Sequence, residues 1–311
     1  MIYTIEEALP KLEQLMEDNS LSIFAGSGVS IDSGLPTWDG LIDNFIELLE
    51  SLPIEKNLEA KQELDRRIAD SKKRKKDNRF DPILIATSLK NAALDLDISE
   101  ESSPLAFAEY NSWVSSQFVN KKPNEFHNLI IQTDFQFILT TNYDLLFEKA
   151  AWNNDIRDKW SYYSYKKPLE VMSSIHSRKK SVIHVHGTAS SLSLDELIFT
   201  KEDYNKMILK KYDAFSFALR ILFTRFSTLF IGYGASDPHL DEIFEELSEY
   251  FPLTKNDDFK LPQSYIIMRE DKIDSLFEAN CKRLRIDVIK IKNYEENKII
   301  LTHLKNKFPI K

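Results

Sequence analysis

The sequence predicts a doubly wound α/β fold with a mainly parallel sheet and a helical insertion. Two observations carry that reading. Six short apolar runs recur along the chain, at 21–26, 135–141, 181–187, 227–234, 263–269 and 285–291. They are almost continuously apolar, as strands covered on both faces are. Helical patterns lie between most of them, and alternating strands and helices build a parallel, Rossmann-like sheet.

The elements follow in order. Residues 3–18 read as a lead-in helix. The run LSIFAG (21–26) ends in glycine and is followed by WDGLIDNFIELLESL, whose Trp38, Leu41, Ile42, Phe45, Leu48, Leu49 and Leu52 recur at helical spacing. More than a hundred residues then separate LSIFAG from FQFILTT. Structureless loops beyond about 15 residues are rare, so 55–77, 81–97 and 103–119 are read as helices and about 50–125 as a helical insertion within one domain spanning 1–311. The Asp237-Pro238 pair is a good start for the helix after STLFIGYG.

Composition sets the outer limits. With 311 residues, 42% apolar and 29% charged, the chain suits one large domain, and wholesale disorder is excluded. No apolar run approaches the length of a membrane span, and the N-terminus carries acids where a signal peptide needs bases, so the expected location is cytoplasmic. The single cysteine, Cys281, excludes a disulfide framework and any multi-cysteine metal site; it reads as a buried, inert thiol. A net charge of −8 argues against broad nucleic-acid binding. The exception is Arg66 to Arg79, with eight bases and two acids. A solvated helix end is the plain reading of that stretch, and a phosphate-backbone or partner contact the functional one.

Glycine is scarce, so its placement is informative. Six of the seven glycines fall in AGSGVSIDSG, HVHGT and IGYGASD, each after an apolar run. In the first, Gly26 and Gly28 would let main chain approach a diphosphate, and Ser30 could cap the helix that follows. Ile31 stands where a G-x-G-x-x-G fingerprint needs its third glycine, so this is a phosphate loop of another kind, or a plain strand–helix turn. In TTNYD (140–144), Asn142 could orient a ribose hydroxyl or a water, and Asp144 could accept from an amide or hydroxyl. Both could equally be turn and cap residues. His184 and His186 would share one face if the strand ran through both. His186, next to Gly187, is the better acid/base candidate and His184 the structural one; partners for a metal site are missing. The IGYGASD turn, with Gly232 and Ser236, suits the adenosine side of a dinucleotide.

Together these segments resemble the sirtuin superfamily, and specifically the zinc-free Sir2-like domains of bacterial anti-phage defence. Gly26-Ser27-Gly28-Val29-Ser30 leading to Ser33-Gly34-Leu35-Pro36 is similar to the sirtuin glycine loop. Thr140-Thr141-Asn142-Tyr143-Asp144 matches the threonine-glutamine-asparagine-hydrophobe-aspartate motif, and His186-Gly187 the catalytic histidine-glycine. Gly232 to Ser236 matches the later turn more loosely. The four zinc-binding cysteines of a deacetylase sirtuin are missing, and Asp39 follows Trp38 where an arginine is expected.

The resemblance implies NAD as substrate, no metal, and hydrolysis of the nicotinamide–ribose bond to nicotinamide and ADP-ribose. It implies catalytic roles for Asn142 and His186. It implies NAD contacts for Gly26, Ser27, Gly28, Ser30, Pro36, Thr141, Asp144, Gly232 and Ser236. The alternatives are an NAD-dependent protein deacylase and a non-catalytic subunit that senses NAD or ADP-ribose. No regulatory module is recognisable, so restraint is expected from homo-oligomerisation or from a separate activating or sensor protein. The amphipathic positions Leu84, Ile85, Leu89, Phe107 and Trp113 are candidate contacts. Nucleic acid enters only through a partner or the basic stretch, and no membrane is involved.

Overall fold

The computed structural model of the chain describes residues 1–51, 58–77, 81–97, 116–189, 197–208, 214–234, 237–251 and 261–311. Among these, eight strands form one sheet: β1 (Ile2–Tyr3), β2 (Leu21–Ala25), β3 (Phe137–Thr140), β4 (Ser161–Ser164), β5 (Ser181–His184), β6 (Ser227–Ile231), β7 (Ser264–Arg269) and β8 (Ile286–Ile291). Their order is β1-β8-β7-β6-β2-β3-β5-β4, and every neighbouring pair is parallel. The six apolar runs are all strands. The two that the sequence reading lacks lie at the edges: β1 is two residues long, and β4 (Ser-Tyr-Tyr-Ser) is only half-buried. Neither makes the apolar run that betrays a central strand.

The six central strands are mainly apolar because both faces are covered. Ile23, Ile138 and Val182 point to one layer, built on α1 (Ile5–Glu17), α5 (Glu125–Ile131), α6 (Leu146–Asn153) and α12 (Glu296–Lys307). Phe24, Leu139 and Ile183 point to the other, built on α7 (Pro168–Ser177), α9 (Ala214–Arg225), α10 (Pro238–Tyr250) and α11 (Ser275–Arg283). Truncating a side chain as enclosed as Phe24 to alanine costs about 3–5 kcal/mol. The lead-in helix starts at Ile5, since Thr4 and Glu7 form a reciprocal capping box. Cys281 is buried, and burial pushes its thiol up to about 11, which keeps it protonated and inert.

A third apolar cluster joins α2 (Trp38–Ser51), α3 (Leu58–Lys76) and α4 (Pro82–Asp97) to Tyr143, Leu146 and Phe199. Ile85 and Leu89 are buried inside it, so they are core and not contact surface; Leu84 is 43% exposed. Phe107 and Trp113 lie outside the described residues. The basic stretch forms the last turns of α3, where Lys72 pairs with Glu50, Arg74 with Asp70 and Lys75 with Asp43. Arg79 lies outside the described residues. α8 (Lys201–Ile208) packs beside α4 and α10.

The topology places the site. From the central β2 the chain continues to β3 on one side, and it returns through β6 on the other. Open α/β sheets bind ligands at the carboxyl ends of strands where the winding reverses. Here that point is the junction of the loops after β2, β3 and β6.

Candidate active site

The loops after β2 and β6 cross at van der Waals contact, and three glycines make this possible. Gly232 sits at φ +59°, a left-handed conformation, and a Cβ there would lie 2.7 Å from the Val29 nitrogen. A Cβ on Gly28 would lie 2.8 Å from the Gly232 Cα, and one on Gly26 would strike the Gly232 carbonyl. The Gly26 and Gly28 N–H groups donate to the Ile231 and Gly232 carbonyls, each at 2.9 Å. What these glycines visibly serve is the contact between two loops, since both N–H groups are already occupied. The loop then runs as a 3₁₀ helix, Ser27–Ser33, ended by Gly34 at φ +71°.

Ser30 is the hub beneath that helix. Its hydroxyl donates to Asp144 Oδ2 at 2.9 Å and accepts from Asn142 Nδ2 at 3.0 Å. The Asn142 amide also donates to the Gly26 carbonyl at 3.2 Å, tying the β3 loop to the β2 loop. Asp144 Oδ1 accepts from Leu146 N–H at 3.0 Å, which fixes the start of α6. Burial pushes the Asp144 carboxyl above its usual range, against the pull of Leu146 N–H and Ser30.

His127 completes the hub, with Nε2 3.2 Å from the Ser30 hydroxyl. Ser30 donates its one proton to Asp144, so the neutral His127 ring must donate there. Burial pushes His127 down to about 3, which keeps the ring neutral. The sequence reading passed over this residue. Its only signal was the Asn124-x-x-His127 box that caps α5.

β5 ends at His184, so the alternation that would align the two histidines stops there, and the rings go to separate carboxylates. Both of the His184 nitrogens are used: Nε2 lies 2.8 Å from Glu148 Oε1 and Nδ1 3.2 Å from the Asn142 carbonyl. Burial opposes charge on His184, but Glu148 and the Asn142 carbonyl outweigh it and hold the ring above its ordinary value. His186 Nε2 lies 3.0 Å from Asp237 Oδ2, off the line of a good hydrogen bond, and among the described residues its Nδ1 has no hydrogen-bond partner. Asp237 also caps α10 through His239 and Leu240 N–H, and it accepts from the Tyr204 hydroxyl at 3.2 Å. Burial opposes the Asp237 charge, but His186 and these donors hold it below its usual range. Glu148, Tyr204 and the pairing role of Asp237 had no sequence signal beyond the helix start at Asp237-Pro238.

Two cavities meet at this junction. A cleft of about 500 Å³ is lined by Ser27, Gly28, Gly232, Tyr233, Met268 and Asn297, among others. A recess of about 40 Å³ is lined by Ser27, Ser30, Pro36, Thr141, Asn142 and Asp144, and it shares Ser27 and Thr37 with the cleft. Most of the expected residues therefore gather at one place. Gly26 lies beneath the recess, and His186 lines neither cavity. Ser236 lies outside the described residues. Trp38 stacks on Phe199 with centroids 5.3 Å apart, forming the recess wall on the α2 side.

Comparison with known proteins places this architecture. Residues 136–289 match the family model of the SIR2-like domain. The chain is 28% identical over 250 residues to a protein of Cytobacillus dafuensis named NAD(+) hydrolase ThsA, covering 78% of this chain and 41% of that one. It is 21% identical over 318 residues to the Enterococcus faecium protein of the same name, covering 96% and 58%. The chain thus spans less than two thirds of either relative. A crystal structure of a Sir2 homolog–NAD complex aligns over 99% of this chain and 97% of that chain, with TM-score 0.44 and 13% identity. The family match runs from β3 into β8, and the glycine loop after β2 lies before it.

Proposed function

We propose that this chain hydrolyses the nicotinamide–ribose bond of NAD⁺, giving nicotinamide and ADP-ribose, as an effector of anti-phage defence. The observation that carries the reading is the Ser30–Asn142–Asp144 cluster, which lines a recess that shares Ser27 and Thr37 with a cleft of about 500 Å³. The names of the ThsA relatives add support.

The chemistry asks little of the protein. The nicotinamide of NAD⁺ is already cationic and leaves without a general acid, while an oxocarbenium-like ribose develops. Asn142 would orient the attacking water or the ribose hydroxyls. His186, with Nδ1 unpaired, would take the proton. Asp144 would hold the nicotinamide amide, and Ser27, Gly28 and Gly232 would border the diphosphate. A recess of about 40 Å³ holds little more than one water. The 26–36 loop must therefore move to admit nicotinamide. That is a population shift between closed and open states, and a natural point of control through assembly or a partner. The helices over about 50–125 would form the insertion that carries that control.

Incubating the protein with NAD⁺ and separating the products tests the proposal. Nicotinamide with free ADP-ribose is the expected result. O-acyl-ADP-ribose, formed only with an acyl-lysine peptide, would make it a deacylase. Binding without turnover, under all assembly conditions, would make it a sensing subunit.

A further inference from the structure

The glycine loop after β2 is gripped by one short segment that leads into α5. Phe118 lines the recess, with its ring edge-on to Tyr143 and centroids 5.6 Å apart. Lys121 Nζ donates to the Gly34 carbonyl at 2.7 Å, and Asn124 Nδ2 to the Val29 carbonyl at 2.7 Å. His127 Nε2 meets the Ser30 hydroxyl at 3.2 Å. Three side chains spaced three residues apart thus hold the loop at Gly34, Val29 and Ser30.

The three ties differ in what their release disturbs. Val29 and Ser30 are each 2% exposed, and Asn124 and His127 also form the box that caps α5. Neither of those ties can let go without breaking the hub or the helix start. Gly34 is exposed and Lys121 half-buried, so this tie can open alone. It is also built to hold. Gly34 ends the 3₁₀ helix Ser27–Ser33, and its N–H closes the last turn onto the Ile31 and Ser30 carbonyls. A charged donor on its carbonyl makes the stronger class of hydrogen bond. From the other side, Lys149 Nζ of α6 donates to the Lys121 carbonyl at 3.2 Å and fixes the backbone from which the side chain reaches.

We infer that Lys121 is a positioning residue: its hold on the Gly34 carbonyl keeps the glycine loop closed over the recess and sets how readily NAD⁺ enters. The hold itself stands on the geometry, while its effect on entry rests on the NAD⁺-cleavage reading. Phe118 and Lys121 lie on the same short stretch, so a displacement of that stretch would open the recess wall and release the loop together.

Amide hydrogen exchange of the full chain tests the hold without substrate. The reporters are Gly34 and Leu35, whose N–H groups bond to the Ile31 and Ser30 carbonyls within the held turn. Lys121→Met keeps most of the stem and removes the donor, and both amides should then exchange about fivefold faster, the worth of one hydrogen bond. Gly28, whose N–H crosses to the Gly232 carbonyl, should not change. Lys121→Arg restores a charged donor and should restore slow exchange, and Lys122→Met, at the exposed neighbouring position, should leave it as it was. In steady-state assays, Lys121→Met should lower KM for NAD⁺ about fivefold with kcat within about twofold, because apparent affinity follows the fraction of open protein. Unchanged exchange at Gly34 and Leu35 in Lys121→Met would overturn the hold, whether or not the protein cleaves NAD⁺. Faster exchange with an unchanged KM would overturn the control of entry. Absence of any NAD⁺ cleavage would sink the hydrolase reading, and the exchange rates would still decide the hold.

Discussion

His184 and His186 lie two residues apart at the end of one strand. Both are 1% exposed, and each faces a carboxylate, yet their surroundings differ. Both His184 nitrogens donate, to Glu148 and to the Asn142 carbonyl, so the ring is fixed and favours its charged form. It positions the loop that carries Asn142. His186 keeps Nδ1 unpaired, and its carboxylate is divided among His186, Tyr204 and the start of α10. In the proposed hydrolysis that unpaired nitrogen would be the proton acceptor. The difference arises because β5 ends between them, at His184.

The sharpest way to break this comparison is to remove each ring. His186→Ala and Asn142→Ala should each lower NAD⁺ cleavage by about 10²–10⁴-fold, far more than their loss of stability in urea unfolding accounts for. His184→Ala should instead act mainly on stability. It leaves the Glu148 charge without its partner, at a cost of about 2–3 kcal/mol read from urea unfolding. Full turnover by His186→Ala, with turnover lost in a stably folded His184→Ala, would reverse the two roles.

A second contrast sets His184 against His127, the buried histidine of the Ser30 hub. Burial pushes His127 down to about 3, so below about pH 6.5 the unfolded chain binds a proton that the folded chain refuses. Stability should therefore fall from about pH 6.5 toward about pH 3, by at most about 1.4 kcal/mol per pH unit from this group. His127→Asn should flatten that limb in urea unfolding at pH 5 compared with about pH 7. His184 has the opposite sign. Its raised value means that the folded state holds the extra proton. Its contribution is complete below the unfolded value and is lost as pH rises through the folded one. Glu148→Gln removes the main cause of that rise, so the variant should lose less stability than the wild type between about pH 6 and 9. Equal slopes would mean that Glu148 does not hold the charge on His184.

How far the sequence reveals this site depends on whether a residue acts within its own segment. Strand runs, the glycine loop, and the Asn142 and Asp144 turn are local signals, and their places in the fold follow from them. Gly26, Gly28 and Gly232 were legible as special, but not as one another's neighbours, because their reason is a contact between loops some 200 residues apart in sequence. Glu148 and Tyr204 gave no signal at all, and His127 only that of the Asn124-x-x-His127 cap. Each acts through a partner on another element, and pairings of that kind have no periodicity to read. The same limit applies to β4, whose Tyr162 looks like an ordinary edge residue until it is set opposite Glu148. The basic stretch shows the reverse: conspicuous in sequence, it is largely paired with acids on α2 and α3.

The smallest expected effect sharpens the His186 side. Tyr204 donates to Asp237 Oδ2, the same oxygen that faces His186 Nε2, and its ring stands edge-on to His186 with centroids 5.2 Å apart. Burial, with Asp237 beside it, holds the Tyr204 hydroxyl well above its ordinary value, so it stays a donor at every working pH. Tyr204→Phe keeps the ring and removes only that donation, leaving Oδ2 to His186 alone. If Asp237 orients His186, losing the competing donor should tighten that pair. Turnover near neutral pH should then fall by less than about tenfold, with KM for NAD⁺ unchanged, since less than about 1.4 kcal/mol is at stake. The urea midpoint should fall slightly, because one buried hydrogen bond is worth about 1 kcal/mol. A kcat that does not change in Tyr204→Phe, although the hydroxyl is gone, would show that Asp237 serves the start of α10 and not the orientation of His186.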